Sequence, residues 1–191
     1  MKKNILIVGV GGQGTILASK LLGQVAQNLN LDVKLSEVHG MAQRGGSVVT
    51  HVKIDNKVYS PLIDKGEADV VIAFEKLEAL RWAQYLSENG TLIYNNTRLN
   101  PVSVTFGEMK YPENVKEKLS YICQNLFEVD ASEMAKKSGN AKALNTVMIG
   151  LLAQSLDISK DIFINAIKET VPERLLEVNL KAFDEGYNYK N

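Results

Sequence analysis

The chain has 191 residues, 22 of them basic and 22 acidic, and so no formal net charge. That length suits one domain that buries a core without disulfide or metal staples, and the balanced charge, with no dense basic run, argues against nucleic acid or an anionic membrane as the main partner. A single cysteine, Cys123, rules out an internal disulfide, a thiolate zinc site and a cysteine-ligated iron–sulfur cluster built within this chain.

The N-terminus, MKKNILIVGVGG, imitates a signal peptide, but glycines soon interrupt the apolar run and no small-residue cleavage site follows. Asn4 to Val8 therefore reads as a buried strand, apolar without alternation, as a parallel strand covered on both faces should be. No stretch approaches the ~20 apolar residues of a membrane span, and the expected location is the cytoplasm.

A glycine turn follows, with Gly9, Gly11 and Gly14 in the G-x-G-x-x-G spacing and Gly12 between them. The next helix is expected from about Gly12 to Leu29, with Leu17, Leu21 and Val25 in one apolar row and Ala18, Leu22, Ala26 and Leu29 beside it. Asn30 ends it, and Asp32 to Val38 forms a second strand. A polar loop, His39 to Gly46, leads to the apolar strand Ser47 to Ile54. Asp55 and Asn56 read as a turn into KVYSPLI, a hairpin that adds antiparallel character to the sheet.

Ala68 to Phe74 and Thr91 to Asn96 are further buried strands around a helix from about Lys76 to Leu86. VSVTF and LFEVDA read as shorter strands, with a helix from about Pro112 to Asn125 between them. The last third is helical: Asn140 and Ser159 can cap two helices, and Pro172 suits the first turn of a third that ends near Gly186. The expected architecture is a three-layer α/β/α Rossmann-like domain over residues 1–191. Its sheet is mixed but mainly parallel, with a helical C-terminal extension from about residue 140.

In such sheets ligands bind beyond the carboxyl ends of the strands, so the turn Gly9 to Gly14 and the loop His39 to Gly46 should open on one edge. Unpaired N–H groups at the start of the helix favour an anion there, and Gln13 adds a polar side chain. The same glycines also suit a tight turn and close helix–strand packing with no ligand. Glu37 stands near the place where a dinucleotide's ribose would be met, or is a plain strand-end carboxylate.

Arg44, followed by Gly45 and Gly46, puts a guanidinium beside backbone able to expose N–H groups, which suits a carboxylate or phosphate. His39 and Gln43 could orient the same group, or the loop could simply be packed. His51, in an apolar strand, fits a satisfied core or interface histidine, and Cys123 a small buried apolar residue. No nucleophile elbow, lysine-bearing phosphate loop or metal-spaced His/carboxylate cluster stands out, so no independent active site is visible and no catalytic residue is assigned.

Taken together, GVGGQGTILASKLLG, EVHGMAQRGGSVVTHV, YSPLI and ADVVIAFEKLEALRW resemble the gamma-type domain of the 2-oxoacid:ferredoxin oxidoreductases. Within that family the likeness is greatest to the smaller, beta-type subunits of the indolepyruvate-oxidising members, and it covers the chain from Asn4 to the helices after Asn140. The resemblance implies a part in the oxidative decarboxylation of arylpyruvates to acyl-CoA and carbon dioxide, with ferredoxin as electron acceptor. It implies a hetero-oligomer of anaerobic metabolism, whose larger alpha subunit carries thiamine diphosphate with magnesium and the iron–sulfur clusters. Coenzyme A is the co-substrate, and this chain alone holds no cofactor and is inactive.

By the same resemblance Gly9, Gly11, Gly12, Gln13, Gly14, Arg44, Gly45 and Gly46 are expected to hold an anionic part of coenzyme A or to shape the cofactor pocket, with His39 and Gln43 at the substrate or subunit interface. Two alternatives stand beside it: an NAD(P)- or flavin-binding Rossmann-type oxidoreductase domain, and a purely structural assembly subunit.

Overall fold

The computed structural model describes residues 2–40 and 45–190. The first strand, β1 (Lys3–Val10), is buried almost throughout because helices cover both faces of the sheet. Ile5 and Ile7 face one helical layer and Leu6 and Val8 the other, which is why the run is continuous rather than alternating. The turn after it leads to α1 (Thr15–Asn28), whose Ala18, Leu21, Leu22, Val25 and Ala26 are buried; Asn30, at positive φ, turns the chain back toward the sheet.

β2 (Asp32–His39) and β3 (Ser47–Asp55) form an antiparallel hairpin, and β3 also pairs antiparallel with β1. The strand expected within KVYSPLI does not form, so the antiparallel character comes from β3 itself. The segment after β3 is tied down instead by single contacts. Val58 N–H donates to Asp32 Oδ2 at 2.9 Å, and Ile63 N–H donates to His51 Nδ1 at 3.1 Å.

β4 (Ala68–Ala73), α2 (Lys76–Trp82), a 3-10 turn (Ala83–Tyr85) and β5 (Leu86–Asn95) follow the expected order. VSVTF is not a strand. Val102–Thr105 is one helical turn, α3, because Pro101 supplies the N-cap and its carbonyl accepts from Val104 and Thr105. α4 (Val115–Ile122) and β6 (Asn125–Val129) complete the sheet, whose order is β2-β3-β1-β4-β5-β6.

A helix the sequence reading passed over, α5 (Ala131–Lys137), starts where LFEVDA was read as continuing strand; Asp130 Oδ1 accepts from Glu133 N–H at 3.0 Å and caps it. A 3-10 turn (Ala141–Ala143) capped by Asn140 leads into α6 (Leu144–Gln154). α7 (Lys160–Thr170), capped by Ser159, and α8 (Glu173–Tyr187), begun by Pro172, end the chain's helical third.

Gly186 lies inside α8 rather than after it. It faces α6 at a crossing where Gly150 comes from the other side, and a Cβ on either residue would be driven into the backbone of the opposite helix. One layer is thus built from α1 and α5 to α8, and the other from α2 and α4, with the sheet between them.

Candidate functional site

β1, β2, β4, β5 and β6 all run one way, so their carboxyl ends share one edge, and β3 begins there. The two expected loops do meet on that edge: Gly11 N–H donates to the Gly46 carbonyl at 2.9 Å. Gln43 and Arg44 lie outside the described residues. Gly45, at φ +81, and Gly11 line a common cavity of about 290 Å³.

The glycine turn has two kinds of position. Gly9 makes room for Gln13: a Cβ there would stand 2.9 Å from Gln13 Oε1 and 3.1 Å from Phe74 Cβ. Gln13 is a strut, accepting from Val10 N–H at 2.8 Å and donating to the Phe74 carbonyl at 3.1 Å, so it ties β1 to the end of β4 and is not free for a ligand. Gly12, at φ +99, has open space where a Cβ would be. Gly14, at φ +86, is the N-cap of α1 and brings no side-chain cap, and α1 has no acidic residue in its first turn. Leu17 and Ala18 N–H share the Gly14 carbonyl. The N–H groups of Gly12, Gly14, Thr15 and Ile16 meet no acceptor among the described residues. That is a donor-only helix start, the arrangement that favours an anion.

The cavity beside it has the opposite character. Glu75, 1% exposed, closes one wall and is fully engaged. Its Oε2 accepts from Leu77 and Glu78 N–H at 2.6 and 3.1 Å, and its Oε1 from Leu99 N–H at 3.1 Å and Tyr111 Oη at 2.6 Å. Glu78 accepts from Ser47 Oγ and stands 3.4 Å from Arg81 Nη1. Burial pushes the Glu78 carboxyl above its ordinary range, against the pull of Ser47 and Arg81. Among the described residues this cavity therefore presents two carboxylates and one guanidinium, while the α1 start presents donors alone.

Sequence reasoning had no role for Ser47, Thr15 or Asn145 at this edge, nor for the glutamates. The glutamates were visible in the quoted FEKLEALR, where the Glu-x-x-Glu spacing is that of a cap and first turn. Asn145 carries no local signal, because it reaches the glycine turn only through the packing of α6 on α1.

The remaining candidates make contacts within the protein. His39 Nε2 lies 2.6 Å from Glu37 Oε1, and Thr50 Oγ1 donates to Glu37 Oε2 at 2.9 Å, so both carboxylate oxygens are used. β3 also separates β2 from β1, which takes Glu37 away from the glycine turn beside which a dinucleotide's ribose would lie. Both features weigh against the nicotinamide reading. His51 is a satisfied core histidine whose pKa burial lowers. Cys123 is buried, its Sγ donating to the Asn125 carbonyl at 3.3 Å, and burial raises its pKa.

Cofactor chemistry finds little to hold it here. One buried cysteine cannot ligate an iron–sulfur cluster, and among the described residues no group of three or more His, Cys, Asp or Glu is placed to hold a metal ion. These residues fit neither a cluster nor a magnesium diphosphate site. Among the described residues no helix is long and apolar enough to cross a membrane.

Comparison with known proteins agrees with the motif resemblance. The family model "Pyruvate ferredoxin/flavodoxin oxidoreductase" matches residues 4–189. Indolepyruvate oxidoreductase subunit IorB of Archaeoglobus fulgidus is 43% identical over 192 residues, covering 98% of this chain and 95% of that protein. The IorB subunit of Pyrococcus horikoshii is 38% identical over 190 residues, covering 96% and 93%. Among solved structures, the gamma subunit of a keto/oxoacid ferredoxin oxidoreductase from Geobacter sulfurreducens superposes with a TM-score of 0.71 at 25% identity, over 97% of this chain and 96% of its own.

Proposed function

The chain belongs to the pyruvate ferredoxin/flavodoxin oxidoreductase family, and from that premise we propose that it is the smaller subunit of a cytoplasmic 2-oxoacid:ferredoxin oxidoreductase acting on indolepyruvate and related arylpyruvates. The observation that carries this reading is the end-to-end likeness to IorB subunits. A larger alpha subunit holds thiamine diphosphate, magnesium and the iron–sulfur clusters, and passes electrons to ferredoxin. This chain completes the site and is inactive alone. Its single cysteine, too few to ligate a cluster, supports that division of labour.

The contribution of its own residues is to position the co-substrate. The donor-only start of α1, with Gly12 open beside it, and the loop from His39 to Gly46, with Arg44, hold an anionic part of coenzyme A at the subunit interface. Gln13 and Gly9 act one step back, by fixing the turn to the end of β4. The carboxylate-lined cavity next to it keeps the anion at the α1 end, because Glu75 and Glu78 offer it no donor.

The test is reconstitution. Co-expressed with a larger alpha subunit, the complex should form an acyl-CoA from indolepyruvate with reduction of ferredoxin, and neither chain alone should. Arg44→Ala should raise the KM for coenzyme A by about tenfold or more, the worth of a charge-assisted hydrogen bond, with the complex still assembled. Unchanged kinetics at limiting coenzyme A in both Arg44→Ala and Gly12→Ala complexes would leave the chain a structural assembly subunit.

A further inference from the structure

Asn145, in the first turn of α6, is 6% exposed. Its Oδ1 accepts from Thr146 N–H at 2.9 Å and lies 3.4 Å from Thr146 Oγ1. Its Nδ2 has no partner among the described residues, and it is not one of the polar atoms sealed from solvent without a bond. This amide lies against the N-cap of α1: a Cβ built on Gly14 would stand 2.9 Å from Nδ2. The space a side chain would fill at residue 14 is thus taken by a free donor from another helix. Thr15, 5% exposed, has a hydroxyl that likewise meets no acceptor among the described residues, while its Cγ2 packs toward Gly9.

From this we infer that the starts of α1 and α6 together form a phosphoryl-anion site. The N–H groups of Gly12, Gly14, Thr15 and Ile16 form one wall, and Asn145 Nδ2 with Thr15 Oγ1 form the other. Neither helix has an acidic residue in its first turn, so neither start sets a carboxylate of its own against an anion. Asn145 Nδ2 and Thr15 Oγ1 meet no acceptor among the described residues, and an arriving phosphoryl oxygen would supply one. The chemistry fits a diphosphate or phosphate ester better than a planar carboxylate, because the donors converge from two elements onto a tetrahedral group. The inference deepens the anion-holding role proposed for the glycine turn and rests on it.

The full chain, labelled with nitrogen-15, can be titrated with inorganic pyrophosphate and followed by amide shifts. The inference expects saturable shifts at Gly12, Gly14, Thr15, Ile16 and the Asn145 side-chain amide. It expects binding at least tenfold weaker in Asn145→Asp, which keeps the acceptor to Thr146 and puts an anionic oxygen where the donor was. Thr15→Val, which keeps the branched shape, should weaken binding about threefold and serves if the aspartate variant misfolds. Shifts elsewhere, or wild-type affinity in both folded variants, would overturn it.

Parallel titrations with coenzyme A and with thiamine diphosphate separate the sources. If pyrophosphate moves these amides and coenzyme A does not, the site stands and the coenzyme A reading fails. If coenzyme A saturates the chain while neither it nor pyrophosphate moves them, the site fails and that reading survives at the second loop.

Discussion

Two pairs of glycines do opposite jobs in this molecule. At the crossing of α6 and α8, Gly150 and Gly186 are filled in by protein, because the carbonyls of Phe183 and Val147 occupy the places their side chains would need. In the turn before α1, Gly12 faces empty space and Gly14 faces a single amide that belongs to Asn145. The first pair exists so that two helices can touch backbone to backbone. The second leaves room for something the chain does not itself supply. Glycine spacing in a sequence does not separate these uses; only what stands opposite the missing Cβ does.

The contrast is broken most severely at the helix crossing. Gly186→Ala or Gly150→Ala forces α6 and α8 apart along the contact that seals one layer. Overpacking against rigid backbone should remove about 3 kcal/mol or more of stability. Denaturant unfolding, or loss of soluble protein, reads this out.

Gly14→Ala comes next. Its φ of +86 resists an L side chain, and its Cβ would push the Asn145 amide, so a loss of about 1–2 kcal/mol is expected together with loss of pyrophosphate binding. Gly12→Ala meets no neighbour and should show only the backbone penalty of about 1 kcal/mol. If Gly14→Ala unfolds as little as Gly12→Ala and binds pyrophosphate normally, the distinction between the two positions falls.

Most of the frame was readable because two-sided burial writes itself as unbroken apolar runs: Ile5 to Val8, Val70 to Ala73 and Leu92 to Tyr94 each sit between two helical layers. The misreadings have local causes. Val102–Thr105 is rich in β-branched residues, yet Pro101 starts a helical turn there, its carbonyl accepting from Val104 and Thr105. Asp130 to Glu133 held a plain cap signal that was absorbed into the strand before it. At the site, the glycine turn was legible and its partner was not. Gln13 was read as a ligand group although its two bonds are internal, and Asn145 is brought to Gly14 by tertiary packing that no local spacing records.

The mildest change sharpens the same contrast from the cavity side. Glu78 is buried between Ser47 and Arg81, and burial raises its pKa above the unfolded value. At a pH below the ordinary carboxylate range both folded and unfolded chains carry the proton, and the residue contributes no difference. As pH rises through the ordinary value toward the raised folded value, the unfolded chain ionises first and the folded state loses stability, a loss that is complete above the folded pKa. Glu78→Gln removes it while keeping an acceptor for Ser47, so its stability relative to the parent should climb across that window and level off above it. Thermal unfolding as a function of pH measures the difference. A flat difference would mean that Ser47 and Arg81 fully offset the burial, and that this wall of the cavity is as ready to carry charge as the open edge beside α1.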